Sequence, residues 1–449
     1  MNNKFLQQNT KGAALLIFVV FFMVASITLV YGISHGVYKD LLQYRTFSIS
    51  KEVFFATEAG VEDAIHRHRN NKNYSNTENF TIDSVTVDAT RAVVSDHFEL
   101  NFTGVDGTIT RKAYLEFTVG NGASFSYGLQ SDTGGIVMEN SSSVLGNIYS
   151  NGTVVGAGGN DVFGTVISAG PAGYVEGIHA TGTVYAHDIV DSIIDMDAHC
   201  DSIDQSTVSG LLYCNTVTST FPNPADGPGP ADQPPSTMPI SDADIEEQKA
   251  AALLGGVIAA TDPECSGGTY TIDSDTTLGP VKIECNLRIE KSSTDLTLTG
   301  QLWIEGNLTT KNGPTISIDA SLDGKAVPIV VDNESDRITS SQVILQNSAV
   351  FSGHGAGSYV ILISMNNDEE VGGSEVAIWS GQQAEGDILL YASHGEILLR
   401  NSGTFVGLAG LLLRLQQSAQ VIYKTGAISL QFPDGPGGGY IIGEWSEVE

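Results

Sequence analysis

Basic residues are scarce in this 449-residue chain, which holds 21 lysines and arginines against 52 aspartates and glutamates. The formal net charge is -31 at pH 7, and no lysine or arginine occurs between Lys112 and Lys249. Nucleic-acid binding depends on basic contacts to phosphates, so this composition excludes a nucleic-acid partner. A strongly acidic surface is typical of a long exposed body that stays soluble.

Cysteine is also scarce, and its four occurrences all follow the N-terminal apolar segment. No Cys-x-x-Cys spacing is present, which argues against a zinc site. An even count fits two disulfides formed in an oxidising compartment. We predict the pairs Cys200–Cys214, which closes a short loop, and Cys265–Cys285, whose separation approaches one solenoid turn of roughly 20–25 residues.

Charge is absent from residues 13–33, a mostly apolar run near the N-terminus. As a helix at about 1.5 Å per residue it spans roughly 32 Å, enough to cross a bilayer core. Lys4 and Lys11 precede the run and favour a cytoplasmic N-terminus. We therefore predict a single-pass membrane protein, held by residues 13–33, whose body is extracellular at the cell surface. No proline follows until well beyond the run, so we expect one helix over residues 13–70.

Two stretches of this predicted helix resemble a known family. Lys11-Gly12 before an apolar helix resembles a type IV prepilin leader, and AALLIFVVFF with ATEAGVEDAI (56–65) is similar to the N-terminus of PilX-like pilus assembly proteins. The resemblance implies a leader at residues 1–12, a prepilin peptidase that cuts between Gly12 and Ala13, and pilin-like subunits as partners. Major pilins usually carry glutamate at the fifth mature position, where this chain has Ile17. The resemblance therefore implies a minor or initiating subunit, with a plain uncleaved membrane anchor as the alternative.

Residues 71–122 are predicted to form a small antiparallel β region. Apolar and polar residues alternate in FTIDSVTV and HFELNFTGVDGTITRKAYLEFTV, with a turn predicted over Gly104–Gly107. The predicted facing sets on neighbouring strands are Phe98, Leu100 and Phe102 against Ala113, Leu115 and Phe117.

Short β-branched runs recur in residues 123–220 and 261–449, separated by glycine and asparagine and without a helical period. Three such strands make about one turn of a parallel β-helix, whose stacked turns bury a continuous core. A sandwich would show longer alternation and clearer hairpins. The predicted fold class is mainly β: an N-terminal transmembrane, pilin-like helix, a small antiparallel sheet, and a right-handed parallel β-helix in two parts.

Residues 221–260 separate the two predicted parts. FPNPADGPGPADQPPSTMP (221–239) is rich in proline and glycine and predicts an extended or loose linker. In the segment that follows, Ser241 is a candidate N-cap and Gly255-Gly256 a candidate stop. We expect this short helix to cap or cross the open side of the solenoid.

Several stretches of residues 134–449, among them GNIYSNGTVVG, LWIEGNL and LLYASHGEILLRNSG, resemble a second family. Its members are uncharacterised, membrane-anchored, β-helical surface proteins with PilX-type N-termini. The resemblance implies a shared fold and topology, and it brings no catalytic residues.

Motifs that carry chemistry are few, and we expect no enzyme activity, no catalytic residue and no cofactor. A pectate-lyase-type elimination needs a lysine or arginine base, which the first β-rich block lacks, and Arg288-Ile-Glu-Lys291 only approaches a polygalacturonase-like motif. GAGGNDVFG (156–164) resembles a calcium-binding nonapeptide but occurs once, so we interpret it as a glycine-rich turn.

Residues 188–204 carry six aspartates, a composition that can take calcium. We favour a β-helix turn with solvated acids outside, and predict no metal site. His179 and His187 lack a third ligand and are interpreted as surface residues. The apolar residues on which this interpretation depends are Ile189, Ile193, Ile194 and Met196.

Two functions follow from these features. The first is a structural or adhesive cell-surface component, a minor pilin-like protein of type IV pilus assembly. The alternative is a membrane-anchored β-helix that binds or degrades polysaccharide, with a surface glycan or a host cell as its contact. Exposure of Trp303, Trp379 and Tyr391 in one line would favour the alternative, and burial would favour the first.

Overall fold

The computed structural model describes residues 6–69, 77–94, 97–120, 125–292, 294–381, 384–401, 403–424, 427, 430, 432–433 and 439–448. These residues fall into two compact units. The helix–sheet unit contains the N-terminal helix and a five-stranded sheet, and the β-helix unit contains a 31-stranded parallel sheet.

Helix α1 (Leu6–Arg69) runs without a break for 64 residues. This confirms the predicted uninterrupted helix. It is unbroken because no proline within it removes a backbone hydrogen-bond donor. The helix also extends into the predicted leader 1–12, of which residues 1–5 lie outside the described residues, as does residue 70.

The sheet of the helix–sheet unit has four antiparallel strands in chain order, which confirms the predicted antiparallel region. They are β1 (Thr77–Ile82), β2 (Val85–Val94), β3 (His97–Asp106) and β4 (Ile109–Gly120). The last strand of the chain, Gly439–Val448, lies beside β4. The predicted β-helix range 261–449 included this strand, which instead covers the edge that β4 would otherwise leave unpaired.

One face of α1 packs against this sheet and closes a small apolar core. In β3 and β4, Leu100 lies opposite Leu115 and Phe102 opposite Ala113, as the alternation predicts. The helix residues buried in this core are Val53, Ala56, Val61 and Ala64.

Gly104 does not belong to the turn that the sequence predicts over Gly104–Gly107. The turn lies at Gly107 and Thr108, and Gly104 is a residue of β3 beneath α1. A Cβ at Gly104 would overlap the Thr57 hydroxyl oxygen of the helix. The glycine therefore permits the close approach of helix and strand.

The β-helix unit consists of two blocks of short strands, one on each side of the linker. The first block comprises β5 (Leu129–Met138), β6 (Ser143–Leu145), β7 (Ile148–Ser150), β8 (Val154–Val162), β9 (Val166–Ser168), β10 (Tyr174–Ala180), β11 (Val184–Tyr185), β12 (Asp188–Val190), β13 (Ile193–Ile194), β14 (Ala198–Asp204), β15 (Thr207–Val208) and β16 (Leu212–Thr218). The second block comprises β17 (Val257–Ile258), β18 (Thr269–Ile272), β19 (Thr276–Leu278), β20 (Val281–Ile283), β21 (Asn286–Glu290), β22 (Asp295–Leu298), β23 (Leu302–Ile304), β24 (Leu308–Lys311), β25 (Thr315–Ile318), β26 (Val327–Val331), β27 (Val343–Leu345), β28 (Val350–Ser352), β29 (Val360–Ser364), β30 (Val376–Ser380), β31 (Glu385–Gly386), β32 (Ile388–Leu399), β33 (Thr404–Phe405), β34 (Gly407–Leu415) and β35 (Gln420–Ile422).

Strand pairing in the second block confirms three strands per turn. β17 pairs in parallel with β20, β18 with β21 and β19 with β22, and the pattern continues as far as β29 with β32. Beyond that point the long strand β32 pairs with both β29 and β30, and β34 pairs along the length of β32, so the period falls to two strands. Inward side chains of successive turns, such as Leu287 and Leu308, form one continuous buried core. Short 3-10 helices at Pro263–Gly268, Ala320–Leu322 and Glu369–Val371 lie between strands.

The two blocks form one solenoid, but their order in space differs from their order in sequence. β34 and β35, the last strands of the second block, pair in parallel with β5 and β6, the first strands of the first block. The chain therefore enters the solenoid near its middle and builds outward to β16. It then returns to β17 at the opposite end and builds back to the middle.

Turn length varies along the solenoid. Cys200 and Cys214, at the β16 end, occupy equivalent positions only 14 residues apart. Asn307 and Gln342, in the second block, lie on neighbouring turns at a separation of 35 residues. The short turn holds two strands, β14 and β15, whereas the long turn holds three, β24 to β26, with long loops between them.

The proline-rich linker is extended and tied to the side of the solenoid. We name residues 221–240 the strap. Its backbone accepts hydrogen bonds from Asn151 Nδ2 to Ser236 O (2.8 Å) and from Gln130 Nε2 to Thr237 O (2.6 Å). The strap thus crosses one turn after another.

The length of the strap matches this path. The strap contacts Tyr213 through Gly227 and accepts a hydrogen bond from Tyr391 at Ile240 O. Seven parallel strand pairings lie between these two tyrosines. At about 4.8 Å per turn the distance is roughly 34 Å. About 13 residues of polyproline II chain at about 3.1 Å each supply roughly 40 Å.

Helix α2 (Asp242–Leu254) follows the strap and confirms the predicted caps. Ser241 is the N-cap and forms a reciprocal capping box with Asp244, and Gly255 is the C-cap. The helix crosses the side of the solenoid over β20, β23 and β26. Ile240 and Ile245 bury their side chains there in a second apolar cluster on the outside of the parallel sheet.

Candidate functional site

The N-terminal half of α1 exposes apolar side chains on every face. Each residue from Leu15 to Phe22 is more than half exposed, including Ile17 at 68%. Within the described residues, α1 is the one helix long and apolar enough to cross a membrane, with a mean hydropathy of 2.6 in its most apolar window. Gly12 and Ala13, the predicted processing site, lie within this helix.

The cysteines lie in the pairs that the sequence predicts. Cys200 and Cys214 face each other on β14 and β16 with their Cα atoms 4.7 Å apart. Cys265 and Cys285 are bonded with Cα atoms 5.9 Å apart. Each disulfide joins neighbouring turns, Cys200–Cys214 near the β16 end of the solenoid and Cys265–Cys285 near the β17 end.

The acidic segment 188–204 lies over β12, β13 and β14, where its aspartates point outward along different turns. Ile189 and Ile194 are buried in the core as expected. Ile193 and Met196 are about half exposed, contrary to expectation. Ile193 faces outward because side chains alternate between the two faces of a strand, and Met196 lies in the bend between β13 and β14.

His179 and His187 lie on the surface, as expected, but each contacts carboxylates. His179 bridges Asp161 (2.9 Å from Nδ1) and Asp195 (3.2 Å from Nε2). Burial alone would lower the pKa of His179, yet the two carboxylates raise it above its usual value. His187 Nδ1 lies 3.2 Å from Asp232 of the strap, which raises its pKa. The segment 156–164, predicted as a turn, lies largely within β8 and supplies Asp161.

A buried ion cluster attaches α2 to the solenoid. Lys249 Nζ donates to Asp332 Oδ2 (2.7 Å), Glu334 Oε1 (2.5 Å) and Glu246 Oε1 (2.9 Å). Lys249 and Asp332 are almost completely buried. Arg337 binds the same Asp332 carboxylate through Nε (2.7 Å) and a terminal nitrogen (2.8 Å).

The charges of this cluster compensate one another. Burial alone would lower the pKa of Lys249, but hydrogen bonds to the carboxylates raise it. Burial alone would raise the pKa of Asp332, but Arg337 and Lys249 hold it below its usual range. Asp332, Glu246 and Glu334 also form the one carboxylate group in the described residues with metal-ligand geometry. The Lys249 ammonium occupies the position among them that a cation would need.

The three aromatic residues singled out in the sequence do not form one exposed line. Tyr391 is fully buried beneath the strap. The Trp303 ring lies beneath α2, with Lys249 Nζ 4.7 Å and Lys282 Nζ 4.3 Å from its centroid. Its indole nitrogen donates to Asp332 O (3.0 Å). Trp379 alone lines an open cavity.

The cavity beside Trp379 has a volume of about 270 Å³ and opens on the outside of the solenoid. Four successive turns supply its walls, through the ends of β27, β30, β32 and β34. Its polar and aromatic lining residues are Gln346, Asn347, Trp379, Arg400, Asn401 and Gln417.

The near-miss motif at residues 288–291 lies on and directly after β21. Arg288 lies on β21, and Lys291 follows it and donates to Asp273 Oδ2 (2.8 Å) at the surface. This exposed ion pair is a surface contact.

Comparison with known protein families finds no match, and comparison with curated proteins finds none. Among solved structures, the chain is similar to the competence-associated pilin ComZ from Thermus thermophilus. The two chains are 11% identical, and the alignment covers 89% of this chain and 97% of that chain with a TM-score of 0.29. A likeness this low carries no inference about function.

Sequence reasoning missed the Lys249 cluster and the Trp379 cavity. Lys249 is the first basic residue after Lys112, which is a usable signal, but its partner Asp332 lies 83 residues away. The cavity gives no local signal, because its residues on successive turns are 16 to 35 positions apart and only the register of the turns brings them together.

Proposed function

We propose that this chain is a minor pilin-like, cell-surface structural component that presents a β-helix on a membrane-inserted helix. One observation carries the proposal. A single helix joins an apolar half, exposed on every face, to a half that packs against an antiparallel sheet. The first half needs a lipid or protein environment that the described residues do not supply, while the second is already buried.

The missing carboxylate supports a minor role. Cleavage after Gly12 would leave a free amine at the head of an apolar helix, and an unpaired buried charge is costly. Ile17 cannot pair with such an amine. We infer that the chain is scarce in any filament. It takes a position where neighbouring helices do not bury its N-terminal amine, such as a tip or an initiation complex.

The body is proposed to be extracellular and non-enzymatic. Two disulfides suit an oxidising compartment. In the described residues, the one carboxylate group with metal-ligand geometry already holds Lys249. Polysaccharide binding is the second candidate function, and the cavity beside Trp379 favours it over polysaccharide degradation.

N-terminal sequencing of the membrane-extracted protein tests the pilin proposal. The mature chain should begin Ala-Ala-Leu-Leu, and Gly12→Val should block processing. Gly32→Val is the matched control, because Gly32 lies in the same helix with open space around it. A mature protein that still begins at Met1 would replace the proposal with a simple signal-anchor.

Protease added to intact cells tests the orientation independently. We expect it to remove the protein beyond about residue 70. Complete protection in intact cells, with cleavage after lysis, would contradict an extracellular body.

A further inference from the structure

The cavity beside Trp379 exists because a glycine interrupts a column of long polar side chains. Gly381 N donates to Leu345 O (3.1 Å), and Arg400 N donates to Ser380 O (2.8 Å), so Gly381 lies between the turns that carry Gln346 and Arg400. Gln346 and Arg400 project long side chains from that column, and Gly381 projects none. The gap is therefore built into the register of the turns.

The indole of Trp379 lies across this gap. A Cβ at Gly381 would overlap the six-membered ring of Trp379. Asn401 Nδ2 donates to Gly381 O (2.5 Å) and links the neighbouring turn to the same residue. The tryptophan thus has a defined position against Gly381, where it lines the cavity.

Arg400 brings a positive charge without a carboxylate partner in the described part of the chain. Its Nε donates to Gln416 Oε1 (2.9 Å), which leaves its terminal nitrogens to face a ligand. By contrast, Arg337 and Arg414 each contact a carboxylate at 2.7 Å.

We propose that this cavity binds one carboxylated pyranose ring at the end of a glycan. The electron-rich face of an indole attracts C–H groups of a sugar ring. The amides of Asn347, Asn401 and Gln417 offer donors and acceptors to hydroxyl groups. Arg400 supplies the planar donor pair that matches a carboxylate. This site goes beyond the proposed anchoring function and does not depend on it.

The size and charge of the site limit the ligand. A volume of about 270 Å³ lies just below the range of about 300–1,000 Å³ typical of small-molecule pockets and suits a single ring. The net charge of -31 repels a polyanion at long range. A single terminal carboxylate meets Arg400 at contact distance, where salt and distant charges act less.

The test uses the full-length protein in detergent micelles and saturation-transfer NMR titration with two probes. Methyl galactopyranosiduronate and methyl galactopyranoside share a ring and differ in the carboxylate. The uronate should bind at least tenfold more tightly, because a charge-assisted hydrogen bond is stronger than a neutral one. Arg400→Gln should remove this difference. Lys291→Gln, which removes a distant exposed charge, should leave it unchanged.

A second variant separates the ring contact from the charge contact. Gly381→Ala adds one methyl group that displaces the indole, and it should weaken both glycosides while Arg400 remains. Equal binding of the two glycosides, or no binding of either, would overturn the proposal. N-acetylglutamate bound as tightly as the uronate would do so too, since it would show a carboxylate site with no preference for a sugar.

Discussion

Replacing Lys249 by methionine should loosen α2 from the solenoid. Methionine keeps an unbranched apolar stem of similar length but removes the cation from three carboxylates. Asp332 would then stay buried with Arg337 as its one remaining cation partner among the described residues. Breaking a buried pair costs about 3–5 kcal/mol when no partner remains.

Retention of Arg337 reduces that cost to about 2–3 kcal/mol, or roughly 30- to 160-fold in an opening equilibrium at about 1.36 kcal/mol per tenfold. Amide hydrogen exchange of α2 measures this equilibrium directly, because the helix can open without global unfolding. We expect the protection factors of its amides to fall by that ratio.

The matched control is Lys424→Met. Lys424 pairs with Asp387 at 2.7 Å, but half of its side chain is exposed. Exposed pairs contribute about 0–1 kcal/mol, so this variant should change protection near the pair by about fivefold or less. A threefold or smaller effect of Lys249→Met on α2 would refute the reasoning, since the buried pair would then behave like the exposed one.

Three further predictions concern other contacts. His394 lies between the carboxylates of Glu370 and Asp242. Burial alone would lower the pKa of His394, but the two carboxylates raise it. The contribution of His394 to the docking of α2 is therefore complete below about pH 6.5 and is lost as pH rises through the folded-state pKa. Amide-exchange protection at the start of α2, corrected for the intrinsic pH dependence of exchange, should fall as pH rises above about 6.5 in the wild type and not in His394→Asn. An equal fall in both proteins would contradict this. Gly104→Val should clash with α1 and lower the free energy of unfolding by about 1–3 kcal/mol. Exchange protection in β3 should then fall at least about fivefold, and unchanged protection would show that the helix can move away. Peptide mapping without reductant should recover Cys200 linked to Cys214, and free thiols at both would remove this pair.

The elements with a local period were predictable. The uncharged run defines the apolar half of α1, alternation defines the pairing of Leu100 with Leu115, and Ser241 defines the start of α2. Each signal lies within a few residues of the element that it specifies, because caps, amphipathic patterns and strand alternation act over one or two turns of chain.

Single residues were misassigned, or received no role, where a distant contact decides what they do. Gly104 resembles a turn glycine, but it is a strand residue that makes room for Thr57. Gly381 lies in a polar stretch without distinction, but the turns above and below it make it the gap beside Trp379. A short stretch of sequence contains the glycine but not the distant residues whose contacts decide its role.

The sequence by itself therefore determined that this protein has an apolar N-terminal helix, a small antiparallel sheet and a stacked-turn β body with paired cysteines. Only the tertiary structure decided the order of the turns, with β34 against β5 and the strap returning along the side. The physical reason is that every turn of a parallel β-helix presents similar edges, so local propensity does not specify which turn stacks on which. That choice depends on pairings between residues hundreds of positions apart, such as Leu408 with Leu129, and on a strap long enough to connect the two ends.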